Sequence, residues 1–373
     1  MNKADVKADS SVNIENNQQE GKPFVSVVVP GYNEAAIVEQ NLSKIYEYMQ
    51  TLEKEYRWEL IFVNDGSTDE TGELAEAFAR GKDNMYVLHH IANFRLGQAL
   101  RYAFNNCRGD YIVTIDADLS YSPEHIGKLL SKIRETRAKV VIASPYMKGG
   151  KVSNVPWLRQ TLSKWANRYL SLAAHGNLST LTGMVRAYDT KFLRSVNLKS
   201  MDAEINEEII YKAQMLGARI VEIPAHLDWN FQKTAGEARR SSIKMFKKII
   251  SCLISGFIFR PFMFFIIPGV TLLLFSFYPL TWAFIHTFNH YQRLPAGRFD
   301  YRFSDAVAAA FSQSPHSFLV GGFTLMLSFQ LISLGILALQ SNRYFEELFH
   351  LATSIYKSNR ENNKELQNGF TNR

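Results

Sequence analysis

Through the first part of this chain, short apolar runs rich in β-branched residues alternate with segments whose apolar residues recur at helical spacing. Residues 24–29, 59–63, 85–89, 111–115, 139–143 and 219–223 read as strands, and residues 35–52, 69–80, 96–106, 123–136, 155–174 and 203–216 as helices. Strand followed by helix, repeated, predicts an α/β domain built on a mostly parallel sheet covered on both faces. Ligands in such sheets bind beyond the carboxyl ends of the strands, which places residues 30–34, 64–68 and 116–120 along one rim although they are far apart in sequence. The helix at 155–174 carries Trp157, Leu158, Leu162, Trp165, Tyr169 and Leu170 with Arg159, Lys164 and Arg168 interspersed, so it suits either a membrane surface or packing on the sheet.

Farther on the pattern changes. Residues 261–285 and 317–340 contain no Asp, Glu, Lys or Arg and are each long enough to cross a bilayer. A buried helix pair in a soluble protein is the alternative, but soluble helices of that length normally keep a polar face. Residues 243–259 mix Lys244, Lys247 and Lys248 with Ile, Phe and Leu, as an interfacial helix leading into the bilayer would. The chain is therefore divided into a polar, disordered tail (1–23), an α/β domain (24–240), a juxtamembrane amphipathic helix (241–259), a two-helix transmembrane region (260–341) and a C-terminal tail (342–373).

Charge adds an orientation. The net charge is +7, and Arg239, Arg240, Lys244, Lys247, Lys248 and Arg260 crowd before the first span while Arg343, Lys357 and Arg360 follow the second. Both termini and the α/β domain are expected in the cytoplasm, with residues 286–316 on the opposite side. Cys107 and Cys252 are the two cysteines, which argues against a disulfide framework and fits a reducing compartment. No apolar signal-peptide core is visible in residues 1–22.

Candidate chemistry sits where the strands end. The run ending in Asp116-Ala117-Asp118 presents two carboxylates one residue apart, a donor set that suits Mg²⁺ or Mn²⁺ with positions left for substrate phosphates. Strand alternation would point both the same way. Strand-end turn acids are the plainer alternative. Asp65 follows the second strand and can accept from a base or ribose; Gly66 permits a tight turn, and Ser67, Asp69 and Glu34 can cap helices. The chain lacks Gly-x-Gly-x-x-Gly after its first strand and any Walker-type loop, which disfavours a dehydrogenase or P-loop ATPase.

Pro30-x-Tyr32-Asn33-Glu34, Asn64-Asp65-Gly66-Ser67-Thr68-Asp69 and Asp116-Ala117-Asp118-Leu119, in this order, resemble family 2 glycosyltransferases of the GT-A fold. With Tyr146-x-Lys148-Gly149-Gly150, Arg186-Ala187-Tyr188, Glu208, Glu222-x-Pro224 and Arg260-Pro261, the chain is similar to polyprenyl- or dolichyl-phosphate hexosyltransferases over residues 24–356. The resemblance implies a UDP- or GDP-linked sugar donor held at Pro30, Tyr32, Glu34, Val63, Asp65, Asp116, Ala117 and Asp118, with metal at Asp116 and Asp118. It also implies inverting transfer to a polyprenyl phosphate whose charge is met by Arg159, with Ser163 on the same helix face and Lys233 beyond; Asp116, Asp118 and Arg159 are the residues expected to carry catalysis. Membrane lipids are the other expected partner; no nucleic acid is expected, and a homo-oligomer is left open.

Departures from the family pattern fall in the acceptor half. Pro145 stands where relatives carry Arg, Ser120 where they carry Gln, Lys233 where they carry Arg, and no base carries over at Gly183-Met184-Val185. A hydroxyl lipid such as diacylglycerol is therefore the alternative acceptor, with Asp202, Glu207 or Glu208 as candidate base, and a non-catalytic membrane scaffold is a third reading. Processive polysaccharide synthesis is disfavoured, since Gln-x-x-Arg-Trp is absent.

Overall fold

The computed structural model describes residues 21–173, 178–229, 261–294 and 299–371. Most of the tail at 1–23, Lys233, Arg239, Arg240, Cys252 and the helix expected at 243–259 lie outside the described residues. The chain forms two compact units, Gly256–Phe349 and the remainder.

In the first unit the strands are β1 (Phe24–Gly31), β2 (Arg57–Asn64), β3 (Met85–His89), β4 (Tyr111–Thr114), β5 (Val140–Ser144), β6 (Lys151–Ser153), β7 (Arg186–Asp189), β8 (Ile220–Pro224) and β9 (His226–Asp228). Its helices are α1 (Val38–Thr51), α2 (Thr71–Ala79), α3 (Leu96–Asn106), α4 (Glu124–Thr136), α5 (Trp157–Ala173), α6 (Thr190–Ser195) and α7 (Ile205–Met215). A seven-stranded sheet runs in the order β3-β2-β1-β4-β7-β5-β8, and β6 pairs with β9 in a separate two-stranded sheet. All pairings in the large sheet are parallel except those of β7 with β4 and β5. The expected α/β, mostly parallel GT-A architecture is present.

The apolar strand runs follow from burial on both faces. Val27, Val29, Leu60 and Phe62 pack with Leu42, Ile45 and Met49 of α1 and Ile126, Leu129 and Ile133 of α4. Their neighbours Val28, Ile61, Val63 and Ile112 point the other way, against Ala99, Leu100 and Phe104 of α3 and Ile205, Ile209 and Ile210 of α7.

Strands β6, β7 and β9 are additions to the sequence reading. They are three or four residues long and too short to show a period. Strand β4 also ends at Thr114, earlier than expected, so Asp116 and Asp118 belong to the following turn and strand alternation does not orient them.

In the second unit, α8 (Pro261–Arg293) and α10 (Pro315–Thr371) contain stretches of 32 and 35 residues that are long and apolar enough to cross a membrane. Both helices run past the ends of the expected spans, and the connection holds a further helix, α9 (Phe299–Gln313), that was not anticipated. A core helix would bury most of its apolar side chains. Here Leu274, Tyr278, Phe284, Phe323 and Leu337 are all more than 60% exposed. The two long helices meet through small residues: a Cβ on Gly269 would lie 2.9 Å from Ile332, and one on Gly335 2.4 Å from Ile266.

Candidate active site

The parallel register of β1 with β2 and β4 brings their carboxyl ends to one edge, with Gly31 beside Asn64 and Val28 beside Thr114. Loops 30–34 and 64–71 are stitched together beyond that edge. The Asn33 amide donates to Ser67 Oγ at 3.0 Å, Thr68 N donates to Asn33 Oδ1 at 2.8 Å, and Glu34 N donates to Thr71 Oγ1 at 2.8 Å. Asp69 accepts from Thr71 N at 3.1 Å and from Ala35 N at 3.3 Å. Burial opposes its charge, but the hydrogen bonds from Thr71 and Ala35 outweigh it and hold this carboxyl below its usual range. Asp69 is thus a loop clamp rather than the expected helix cap, since Glu70 stands at the N-cap of α2, with no side-chain capping hydrogen bond.

Asp65 follows directly. Its amide donates to Gly31 O at 3.0 Å, and its Oδ1 receives Phe94 N at 3.0 Å and meets His90 Nδ1 at 2.7 Å. His90 in turn stacks on Tyr102. Gly66 has φ +66°, and a Cβ there would lie 2.1 Å from the Ala92 backbone, so the tight turn after Asp65 needs glycine. His90, Phe94 and Tyr102 did not emerge from the sequence reading, because nothing local links a histidine after β3 to a carboxylate after β2. Tyr32 stands 41% exposed on the same rim.

Asp116 and Asp118 sit half-buried in the turn after β4, placed by contacts on both sides. The Ile115 amide donates to Val28 O at 3.0 Å, Asn41 of α1 donates to Ala117 O at 2.9 Å, and Leu119 closes the turn at φ +49°. Asp118 Oδ1 accepts from Ser120 N at 2.9 Å. The Tyr121 hydroxyl lies within their field: burial first, then Asp116, Tyr146 and Asp118, push it far above the ordinary phenol range, while Arg186 opposes. The two carboxylates, two tyrosines and a buried arginine therefore share one neighbourhood. Arg186 of β7, opposite Thr114 in the register, is fully buried, and its guanidinium donates to Asn206 O and Leu181 O.

No cluster of three or more His, Cys, Asp or Glu able to hold a metal occurs among the described residues. Two half-buried carboxylates at an open rim fit a cation whose remaining positions go to water and substrate oxygens. Pro145 is buried at the end of β5, and Lys148 is exposed nearby.

The model of the family described as glycosyl transferase family 2 matches residues 26–196, the span from β1 to the end of α6. A polyprenol monophosphomannose synthase of Mycolicibacterium smegmatis is 30% identical over 205 residues, covering 53% of this chain and 75% of that protein. The chain belongs to glycosyl transferase family 2. Another relative, an undecaprenyl-phosphate mannosyltransferase of Micrococcus luteus, is 28% identical over 58% of this chain and 87% of its own length. A glucosyl-3-phosphoglycerate synthase from Mycobacterium tuberculosis, solved with Mn²⁺, UDP and phosphoglyceric acid, superposes over 64% of this chain and 80% of its own, with a TM-score of 0.47 and 20% identity. As a family 2 member this protein is a glycosyltransferase, and the rim that holds Asp65, Asp116 and Asp118 lies inside the matched span.

The acceptor half is described in part. Helix α5 carries Arg159 and Ser163; Ser163 is half-buried, the Arg159 side chain lies outside the described residues, and so does Lys233. Trp157 and Trp165 of α5 are 76% and 69% exposed while Asn167 is buried, so the helix packs by one face and shows tryptophans on another. Of the alternative base candidates, Glu208 is otherwise employed. Glu208 accepts from Lys199 N and Ser200 N and pairs with Lys212 at 2.5 Å. Burial opposes its charge, but Lys212 and Ser200 hold its carboxyl below the usual range. Asp202 accepts from Ala203 N and lies 3.8 Å from Arg95; Glu207 is buried.

Proposed function

We propose that this protein transfers a hexose-type sugar from a UDP- or GDP-linked donor to a polyprenyl phosphate, with inversion, at the cytoplasmic face of a membrane. The observation that carries the reading is the convergence of loops 30–34, 64–71 and 116–120 at the carboxyl edge of β1, β2 and β4. In that geometry Asp65, oriented by His90 and the Phe94 amide, accepts from the nucleoside. Pro30, Tyr32 and Glu34 are proposed to line its approach; the side chains of Val63 and Ala117, also expected there, are buried. Asp116 and Asp118 would hold Mg²⁺ or Mn²⁺, which when bound would supply positive charge to offset that of the leaving diphosphate.

An acceptor phosphate oxygen forms the new bond to the anomeric carbon as the bond to the diphosphate breaks, and the nucleoside diphosphate leaves with that electron pair. A phosphate acceptor is already ionised near neutral pH and needs no base. That fits Glu208, which is committed to Lys212 and two backbone amides and so is not the base that a hydroxyl lipid would need. The acceptor is proposed to meet Arg159 and Ser163 on α5 together with Lys233. The relatives' names, polyprenol monophosphomannose synthase and undecaprenyl-phosphate mannosyltransferase, support the lipid class.

Mass spectrometry of membranes incubated with a panel of nucleotide-sugars and a polyprenyl phosphate tests the reading. A glycosyl polyprenyl phosphate is expected; a neutral glycolipid as sole product would replace it with the hydroxyl acceptor. Arg159→Ala is expected to raise the apparent KM for the lipid by roughly tenfold or more while donor hydrolysis persists, and Arg159→Lys to recover part of that loss. Weakened donor binding with unchanged lipid dependence would remove α5 from the acceptor site.

A further inference from the structure

Residues 178–184 connect the region after α5 to β7, and side chains from four strands fix them. Glu222 of β8 accepts from Ser179 N and Thr180 N at 2.8 Å each, and Ser144 Oγ of β5 meets Thr180 Oγ1 at 2.8 Å. Arg186 of β7 donates to Leu181 O, and Thr114 of β4 donates to Met184 O, both at 2.5 Å. The segment is thereby part of the sheet's rigid frame, beside the turn that holds Asp116 and Asp118.

Asn167 reaches this frame from α5. It is 1% exposed, and its Oδ1 accepts from Leu181 N at 2.8 Å and Thr182 N at 3.3 Å. Its Nδ2 donates to Ser163 O at 3.0 Å and to Thr182 Oγ1 at 3.3 Å. Asparagine is a mediocre helix former, and a buried amide is costly unless both ends are satisfied. Its presence within α5 therefore answers to the tertiary contact rather than to the helix. Ser163 and Arg159 lie four and eight residues earlier, about one and two turns along the same side.

We propose that Asn167 is a positioning residue that fixes α5 to the sheet frame and so seats Ser163 and Arg159 for the acceptor phosphate; this rests on the reading of α5 as the acceptor helix. Only a side chain that accepts and donates at once can grip residues 181–182 while holding the preceding helical turn. Leucine does neither, and aspartate keeps the acceptor alone.

The test uses the full chain in detergent micelles, with a fluorescent short-chain polyprenyl phosphate as one probe and UDP or GDP with Mn²⁺ as the other. Asn167→Leu is expected to weaken lipid-phosphate binding by roughly ten- to a hundredfold with nucleotide affinity unchanged, and Asn167→Asp to fall between it and wild type. Unchanged lipid binding in Asn167→Leu, beside weakened binding in Arg159→Ala, overturns the inference and leaves the acceptor reading standing. Unchanged lipid binding in both variants overturns the acceptor reading and the inference with it. Loss of lipid and nucleotide binding together reduces Asn167 to a structural role and also overturns the inference. Should Asn167→Leu not fold, Thr182→Val, which removes the hydroxyl contact to Asn167, is expected to give a smaller loss of lipid binding alone; no selective loss would count against the proposal.

Discussion

At the residue scale the site is a set of carboxylates that do different work according to what holds them. Asp69 and Glu208 are held by donors and serve the fold; Asp116 and Asp118 sit half-buried in the turn after β4. Asp118→Ala is expected to cut transfer by several orders of magnitude, each tenfold corresponding to about 1.4 kcal/mol of barrier, with the protein still folded and membrane-bound. Turnover close to wild type in buffer replete with Mn²⁺ would remove the metal from this turn. Glu208 predicts a pH effect whose sign follows from its lowered pKa. Its stabilisation is present above the unfolded carboxylate value, about 4.3, and is lost as pH falls through the lower folded value. Thermal midpoints measured on acidification should therefore fall more steeply for wild type than for Glu208→Gln. Glu208→Ala, which strands Lys212 in a buried position, should cost about 3 kcal/mol at neutral pH.

At the element scale, α5 and α3 show how helices are fitted to the rim. A Cβ on Gly97 in the first turn of α3 would lie 2.5 Å from Ser200 O, so the backbone of residues 200–202 lies directly on that turn. Helix α5 turns Trp157 and Trp165 outward with Lys164 and Arg168, the mix of aromatic and basic side chains that settles at a lipid headgroup boundary. Replacing both tryptophans by Ala is expected to lower activity on polyprenyl phosphate in liposomes several-fold, with little change when a short-chain acceptor is supplied in detergent. Equal losses in both assays would show that the tryptophans act inside the site instead.

At the scale of the molecule, a glycosyltransferase domain is followed in sequence by a unit whose helices turn Phe and Leu outward along stretches of 32 and 35 residues. The basic residues before α8 and those after Gln340 predict that both termini share the cytoplasmic side and that residues 286–316 lie opposite. Membrane-impermeant labelling of single engineered cysteines in sealed vesicles checks this. Label reaching the segment around α9 from the cytoplasmic side alone would reverse the assignment. Cys107 is a suitable silent background once Cys252 is replaced by Ser, since Cys107 is buried and burial pushes its thiol up to about 12.

The sequence by itself determined the alternation of strands and helices, because strands buried on both faces must be continuously apolar and their partner helices must repeat at helical spacing. It also placed residues 30–34, 64–68 and 116–120 on one rim, since parallel strands send all their carboxyl ends to the same edge. Tertiary structure alone decided the rest. Strand β7 is too short and too polar at Arg186 to announce itself, and its antiparallel insertion between β4 and β5 depends on neighbours distant in the chain. His90 beside Asp65, Asn41 beneath Ala117 and Asn167 against residues 181–182 are hydrogen bonds across separations of 25, 76 and 14 or 15 residues. Periodicity reports which face of an element is buried. It does not report which polar side chain on that face meets a partner, because that pairing exists only once the elements are packed.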